Sequence, residues 1–222
     1  MTAPTGPTDL TDLPVLVIGD SFVAGFGDET GRGWTGLLEE HAAGDGGLLH
    51  VTEVGVGGDT SEMILARWDE IDRRLESWPG TAVIAEFGVN DVMLVDGVQR
   101  VDEAGTLAAL RGMIERAPEG RFLVVGPPPI AWDDVHQRID PGAEINERIA
   151  ARSSAIGAAC AGAGVPFVPT YDALLADAVW MSEVAARDGA HPGSAGYERF
   201  VAVVAGPVLD WLGGLGWAHH AD

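Results

Sequence analysis

The sequence has one cysteine and little positive charge: 13 Lys and Arg stand against 34 Asp and Glu in 222 residues, a formal charge of −21. A lone cysteine, Cys160, excludes an internal disulfide and a thiolate metal cage. Its setting, AIGAACAGAG, is a small-residue helical pattern, so Cys160 is expected to be buried packing. The negative field repels nucleic-acid phosphates and anionic lipid surfaces, which argues against a nucleic-acid-binding role. No apolar run approaches the ~20 residues needed to cross a bilayer, so stable membrane insertion is not expected. The start, MTAPTGPTDLTDLP, lacks the basic residues and apolar stretch of a secretory leader, and a cytoplasmic protein is expected.

The apolar share of 46% with 21% charged residues is that of an ordinary globular protein. Residues 1–12, rich in Thr, Pro and Asp, read as a flexible lead-in to one domain over 13–213. Residues 214–222 read as a glycine-rich tail whose His219-His220 pair is a frayed end rather than a metal site. Short, nearly continuous apolar runs predict strands at Pro14–Ile18, Leu48–Val54, Thr81–Phe87, Arg121–Val125 and Val165–Pro169, each buried on both faces of a parallel sheet. Helices are predicted at Trp34–Ala43, Ser61–Ser77, Asp102–Ala117, Gly142–Gly162 and Pro192–Trp211. In the second of these, Met63, Ile64, Arg67, Trp68, Ile71 and Leu75 follow the spacing of one buried face. Alternating strands and helices predict a three-layer α/β sandwich around a five-stranded parallel sheet. Chemistry in such sheets gathers at the carboxyl ends of the strands.

Unusual polar residues fall at those ends. The first strand runs into Gly19-Asp20-Ser21, where a serine at the start of a helical turn stands at the open edge of the sheet; alone, this is more often a turn or an N-cap. The second ends in Gly55-Val56-Gly57-Gly58-Asp59-Thr60, whose glycines allow close approach to a ligand or simply make a tight turn. The third ends in Gly88-Val89-Asn90-Asp91; Asn90 has two amide protons to donate, although Asn-Asp is also a common turn pair. Before the last helix comes Asp188-Gly189-Ala190-His191-Pro192. Three residues separate acid from imidazole, so one turn brings the carboxylate to Nδ1–H and leaves Nε2 free to accept a serine proton. Pro192 suits the first position of the final helix.

These four blocks, in this order, resemble the SGNH hydrolases, also called GDSL esterases, lipases and thioesterases, from Pro14 to about Trp211. The resemblance implies a flavodoxin-like sheet in the order 2-1-3-4-5. It implies Ser21 as nucleophile, His191 as general base and acid, and Asp188 as its orienting carboxylate. Ser21 N–H, Gly58 N–H and the Asn90 amide form the implied oxyanion hole, and no metal or organic cofactor is implied. Phe22 replaces the usual Leu of the first block, and Glu53 stands where many relatives have Asn. The Gly-x-Ser-x-Gly elbow of the other large esterase fold is absent. An incomplete glycine fingerprint disfavours a nucleotide-binding module. A non-catalytic ligand-binding protein of this fold would be expected to lack a triad residue, and all three are present.

The implied substrate is a small-molecule ester, with acyl thioesters and lysophospholipids as alternatives. Asp28, Glu29, Asp59, Glu62, Asp91, Asp96, Asp133 and Asp134 follow strand ends and predict an acidic rim that favours neutral short-chain or O-acetyl esters. Phe22, Val89, the loop Pro127–Trp132, Trp180 and Met181 are the expected acyl-pocket residues, the loop being equally a packing element. A histidine base must start neutral, so ester hydrolysis is expected to fall on acidification through about pH 6–7. A pH–rate profile flat to about pH 4 would refute that assignment.

Overall fold

In the computed structural model the described residues are 13–44, 47–131 and 144–217. The expected lead-in at 1–12, Trp132, Asp133, Asp134, the start of the helix expected from Gly142, and His219-His220 lie outside them. In chain order the elements are β1 (Pro14–Gly19), α1 (Gly33–Gly44), β2 (His50–Gly55), α2 (Ser61–Ala66), α3 (Trp68–Ser77), β3 (Ala82–Glu86), α4 (Val89–Val92), β4 (Leu94–Val95) and β5 (Val98–Gln99). There follow α5 (Glu103–Arg116), β6 (Phe122–Val125), α6 (Ile145–Ala163), β7 (Phe167–Val168), α7 (Tyr171–Leu175), α8 (Ala178–Ala185) and α9 (Ser194–Gly214).

Five parallel strands make one sheet in the order β2-β1-β3-β6-β7, which is the expected order once the separate β4-β5 hairpin is set aside. Successive side chains of a strand point to opposite faces, so an unbroken apolar run supplies two cores. Val15 and Val17 of β1, Ala82 and Ile84 of β3, and Leu123 and Val125 of β6 join Trp34, Phe200 and Val204 of α1 and α9 on one face. Leu16, Ile18, Val83, Ala85, Phe122 and Val124 join Ile64, Trp68, Leu110 and Cys160 of α2, α3, α5 and α6 on the other. Cys160 is buried as expected, and burial pushes its thiol up to about 11.

Several predicted boundaries are corrected. The helix expected over Ser61–Ser77 breaks at Arg67 into α2 and α3. The cause is the Arg67 guanidinium, which turns back to Asp59 (Nε to Oδ2, 2.8 Å) and donates to the Gly19 carbonyl at 3.3 Å, tying two strand ends together. Met63, expected on the buried face, is 48% exposed. The last helix starts at Ser194 rather than Pro192, because Glu29 accepts from Ser194 N–H (3.3 Å) and Oγ–H (3.0 Å). The tail expected from 214 is also too early: Gly214 ends α9, and buried Trp217 donates from Nε1 to the Leu48 carbonyl at 2.9 Å. The short elements α4, β4, β5, α7 and α8 carry too little periodicity to be seen in sequence.

A buried polar cluster fixes the segment after β3. Asp91 accepts from Ser61 N–H (2.8 Å), Ser61 Oγ–H (2.6 Å) and Thr106 Oγ1–H (2.5 Å), with Arg152 Nη1 at 3.5 Å. Arg152 also donates to Thr106 and to the Val101 carbonyl. This anchors α4, and with it Asn90, to the starts of α2 and α5. Removing one partner of a buried, hydrogen-bonded ion pair leaves the other uncompensated, so Asp91→Ala is expected to lower unfolding free energy by about 3–5 kcal/mol in urea titration. A loss below ~1 kcal/mol, the range of a surface pair, would show the cluster to be dispensable.

Candidate active site

The carboxyl ends of β1, β2 and β3 and the segment before α9 bring the four blocks together. After β1 the chain makes a single helical turn, Ala24 N–H donating to the Asp20 carbonyl at 3.1 Å, and this turn carries Ser21. The loop then reaches Gly27, at φ +86°, where a Cβ would lie 2.3 Å from the Pro192 carbonyl and 3.1 Å from His191 Cβ. Only glycine permits this approach of the serine loop to the histidine segment. Tyr197 Oη–H fastens the same loop by donating to the Phe26 carbonyl at 2.8 Å.

Ser21 and His191, 170 positions apart, meet with Oγ and Nε2 at 2.7 Å. His191 Nδ1 lies 2.7 Å from Asp188 Oδ2. An ionised carboxylate only accepts, so Nδ1 carries the proton and Nε2 faces the serine hydroxyl as acceptor. The other Asp188 oxygen accepts from Ala190 N–H (2.9 Å) and His191 N–H (2.8 Å), folding the three-residue spacing into one turn. Partial burial works to raise the Asp188 carboxyl, but the His191 ring and these two backbone donors outweigh it and hold it below the usual carboxylate range. The imidazole lies between Phe22 and Phe26, with ring centroids at 5.3 Å and 5.6 Å.

Two further loops flank Ser21. Residues 56–59 form a tight turn closed by Asp59 N–H on the Val56 carbonyl at 3.1 Å. Gly58 sits there at φ +82°, the third position of a type II turn. Asn90, in α4, donates from Nδ2 to Asp20 Oδ2 at 2.9 Å, while its Oδ1 accepts from Arg100 Nη1 at 3.3 Å. Arg100 Nη2 reaches the Gly58 carbonyl at 2.8 Å. Glu53, in place of the frequent Asn, accepts from Gly55 N–H at 3.2 Å and so still braces the end of β2.

The model of the GDSL-like lipase/acylhydrolase family matches residues 17–199, a span that holds all four blocks. The chain belongs to this family. Esterase TesA of Pseudomonas aeruginosa is 33% identical over 114 residues, 50% of this chain and 53% of that protein. The chain thus matches about half the length of this relative. Among solved structures, a lipase/acylhydrolase from Enterococcus faecalis superposes with a TM-score of 0.72 at 24% identity, covering 88% of this chain and 95% of that one. A structure of TesA gives 0.65 at 27% identity, covering 90% and 99%. The architecture is that of the SGNH hydrolases, as the sequence blocks imply.

The site departs from expectation in its walls. Of the expected acyl-pocket residues, Phe22, Val89 and Trp180 are buried and Met181 packs against the core, so they back the site from beneath. Phe22 stacks on Trp180 behind the imidazole, and Trp180 Nε1–H donates to the Pro129 carbonyl at 2.9 Å. Residues 127–130 are buried as well, which favours the packing reading of that loop. Exposed apolar side chains lie elsewhere: Phe26, 49% exposed, against the His191 ring, Val56 on the Gly58 loop, and Met63 beside Arg100. Alternation could not reveal them, because they sit on loops and a one-turn helix. A cavity of about 770 Å³ opens at the opposite end of the sheet, beside Pro14, His50 and Trp78.

Four of the six described acidic-rim residues are already partnered or buried. Asp28 accepts from Thr30, Arg32 and Gly33, Glu29 pairs with Arg187 at 2.8 Å, Asp59 pairs with Arg67, and Asp91 is buried. Sequence counts formal charges; the folded loops use these carboxylates as internal acceptors.

Two further carboxyls lie beneath the serine turn. Burial raises Asp20 to about 7, against the opposing effect of hydrogen bonds from Phe22 N–H and Asn90. Burial and then Asp20 push Glu86 well above the usual range, and neither Glu86 oxygen has a hydrogen-bond partner among the described residues. Both groups favour the proton in the folded chain, so their contribution is fully present below the ordinary carboxylate range near ~4 and is lost as pH rises through the folded values. Glu86→Gln is expected to shrink the fall in Tm between pH 5 and pH 8. A wild-type fall in this variant would show that Glu86 does not titrate with folding.

Proposed function

We propose that the protein is a carboxylic ester hydrolase working through an acyl-enzyme on Ser21, with His191 as base and Asp188 as its orienting carboxylate. The observation that carries this reading is the pair of 2.7 Å contacts from Ser21 Oγ to His191 Nε2 and from His191 Nδ1 to Asp188 Oδ2, at the carboxyl edge of the sheet. Ser21 Oγ attacks the acyl carbon and its proton passes to Nε2, which then delivers it to the departing alcohol oxygen. Water next attacks the acyl carbon as His191 takes its proton; the acid leaves and Ser21 regains its hydrogen. Asp188 stays ionised throughout and stabilises the imidazolium.

Ser21 N–H, Gly58 N–H and the second Asn90 amide proton are the proposed donors to the oxyanion, the first Asn90 proton being held by Asp20. The exposed Phe26, Val56 and Met63 support a neutral, short apolar acyl or alcohol group beside the serine. The neutral-ester reading now rests on these side chains rather than on rim charge.

A fluorophosphonate probe should label the wild-type chain and fail on Ser21→Ala, and Ser21→Ala should lower kcat for a neutral acetyl ester by at least ~10⁴-fold. Absence of wild-type labelling would favour a non-catalytic ligand-binding protein of this fold. Across an acyl-length and alcohol series, kcat/KM for a neutral acetyl ester is expected to exceed that for acetyl-CoA; the reverse order would assign a thioesterase.

A further inference from the structure

Arg100 belongs to none of the four sequence blocks, yet its side chain touches two of them, the Gly58 and Asn90 blocks. It follows the β4-β5 hairpin, and its own backbone is tied back by Arg100 N–H to the Met93 carbonyl at 2.9 Å. From there the guanidinium forks. Nη2 donates to the Gly58 carbonyl at 2.8 Å and Nη1 to Asn90 Oδ1 at 3.3 Å, with Met63 Sδ 3.9 Å from Nη2. Gly58 and Asn90 lie on different loops, at the ends of β2 and β3, and no sheet bond joins those two strands: β1 lies between them.

We infer that Arg100 is a positioning residue that sets the Gly58 and Asn90 donors of the oxyanion hole in register with each other. This deepens the esterase reading and takes its oxyanion hole from it.

Three physical points carry the inference. An asparagine amide has two orientations of nearly equal shape, and its partners decide between them. Here the Arg100 guanidinium, which can only donate, meets one end of the amide, so Oδ1 must face it and Nδ2 is left towards Asp20 Oδ2. Second, donation from a cation to Oδ1 draws electron density from the amide and strengthens its N–H groups as donors. Third, Gly58 has no side chain and sits at positive φ, so its turn is conformationally soft. The Asp59–Arg67 pair holds one end of that turn, and Arg100 holds the Gly58 carbonyl itself. A planar fork suits two acceptors on separate loops, which a single ammonium does not.

The experiment compares Arg100→Ala, Arg100→Lys and wild type in two ways. In ¹H–¹⁵N spectra, the Asn90 side-chain amide and the Gly58 backbone amide should shift together and exchange with solvent faster in Arg100→Ala, with Tm changed by less than about 3 °C. In kinetics with a neutral acetyl ester, kcat should fall ~10–100-fold with KM within about threefold, somewhat less than removal of an oxyanion donor itself. Arg100→Lys should recover only part of kcat, and added guanidinium should raise the rate of Arg100→Ala but not of wild type. The cost of Arg100→Ala should shrink in an Asn90→Ala background to the part exerted through Gly58.

Undisturbed Asn90 and Gly58 resonances in Arg100→Ala would overturn the inference. So would an equal kcat loss in both backgrounds, or a loss of kcat that merely follows a large fall in Tm. The resonance arm needs no turnover, so a wild type that neither hydrolyses esters nor labels would reject the esterase reading, while the positioning role would still be decided by the spectra.

Discussion

The 2.7 Å contact between Ser21 Oγ and His191 Nε2 joins two segments 170 positions apart in the chain, and most of the architecture around it holds those segments in place. A hydrogen bond tolerates only a few tenths of an ångström in heavy-atom distance. The serine is therefore fixed by a buried central strand and the histidine by a turn closed on its own carboxylate. Gly27, Tyr197 and Glu29 each fasten one segment to the other. The two faces of the sheet bury separate cores, which makes the strand ends a rigid edge on which loops can be aimed.

Charge in this acidic chain is used in an uneven way. Excess carboxylates spread over the surface, while several of the scarce cations are spent on joints between elements. Arg67 joins the ends of β1 and β2, Arg152 joins α6 to the Asp91 cluster, Arg187 joins the histidine segment to Glu29, and Arg100 joins two loops beside the serine. Each presents several donors in a fixed plane, which suits the bridging of carbonyls and carboxylates that belong to different elements.

Much of this is legible in the sequence. β1, β3 and β6 were visible because strands buried on both faces need uninterrupted apolar residues. β2, expected to be buried likewise, is instead a largely exposed edge strand. The strand order agrees with the flavodoxin-like expectation. Asp188 and His191 stood out because a carboxylate three residues before an imidazole can orient it, and Ser21 because the four blocks together resemble the SGNH hydrolases. The fold brings the three within hydrogen-bond distance. What was not legible has a common cause. Phe22 and Trp180 read as pocket walls, since sequence does not say whether an aromatic beside an active residue faces outward or inward. Asp28, Asp59 and Asp91 read as surface charge because their partners, Gly33, Arg67 and Arg152, are chosen by the fold. Arg100 has no signature in the sequence, and Met63 follows the spacing of a buried face, because their shared position arises only when a hairpin too short to show periodicity turns back on the Gly58 loop. Arg67 broke a helix that its neighbours' propensities supported, a case of tertiary contact overriding local preference.

The long separation between Ser21 and His191 also has a bearing on synthesis. Ser21, Gly58 and Asn90 lie in the first half of the chain, after β1, β2 and β3 respectively. The imidazole follows only after β6, α6 and β7 have been added to the same sheet. Domains generally fold as units during synthesis, so Ser21 has no imidazole beside it until the last part of this domain has emerged. Under the proposed mechanism the Ser21 hydroxyl stays unarmed until the segment from Asp188 to α9 packs against the sheet, so chemical competence arrives together with the completion of the core.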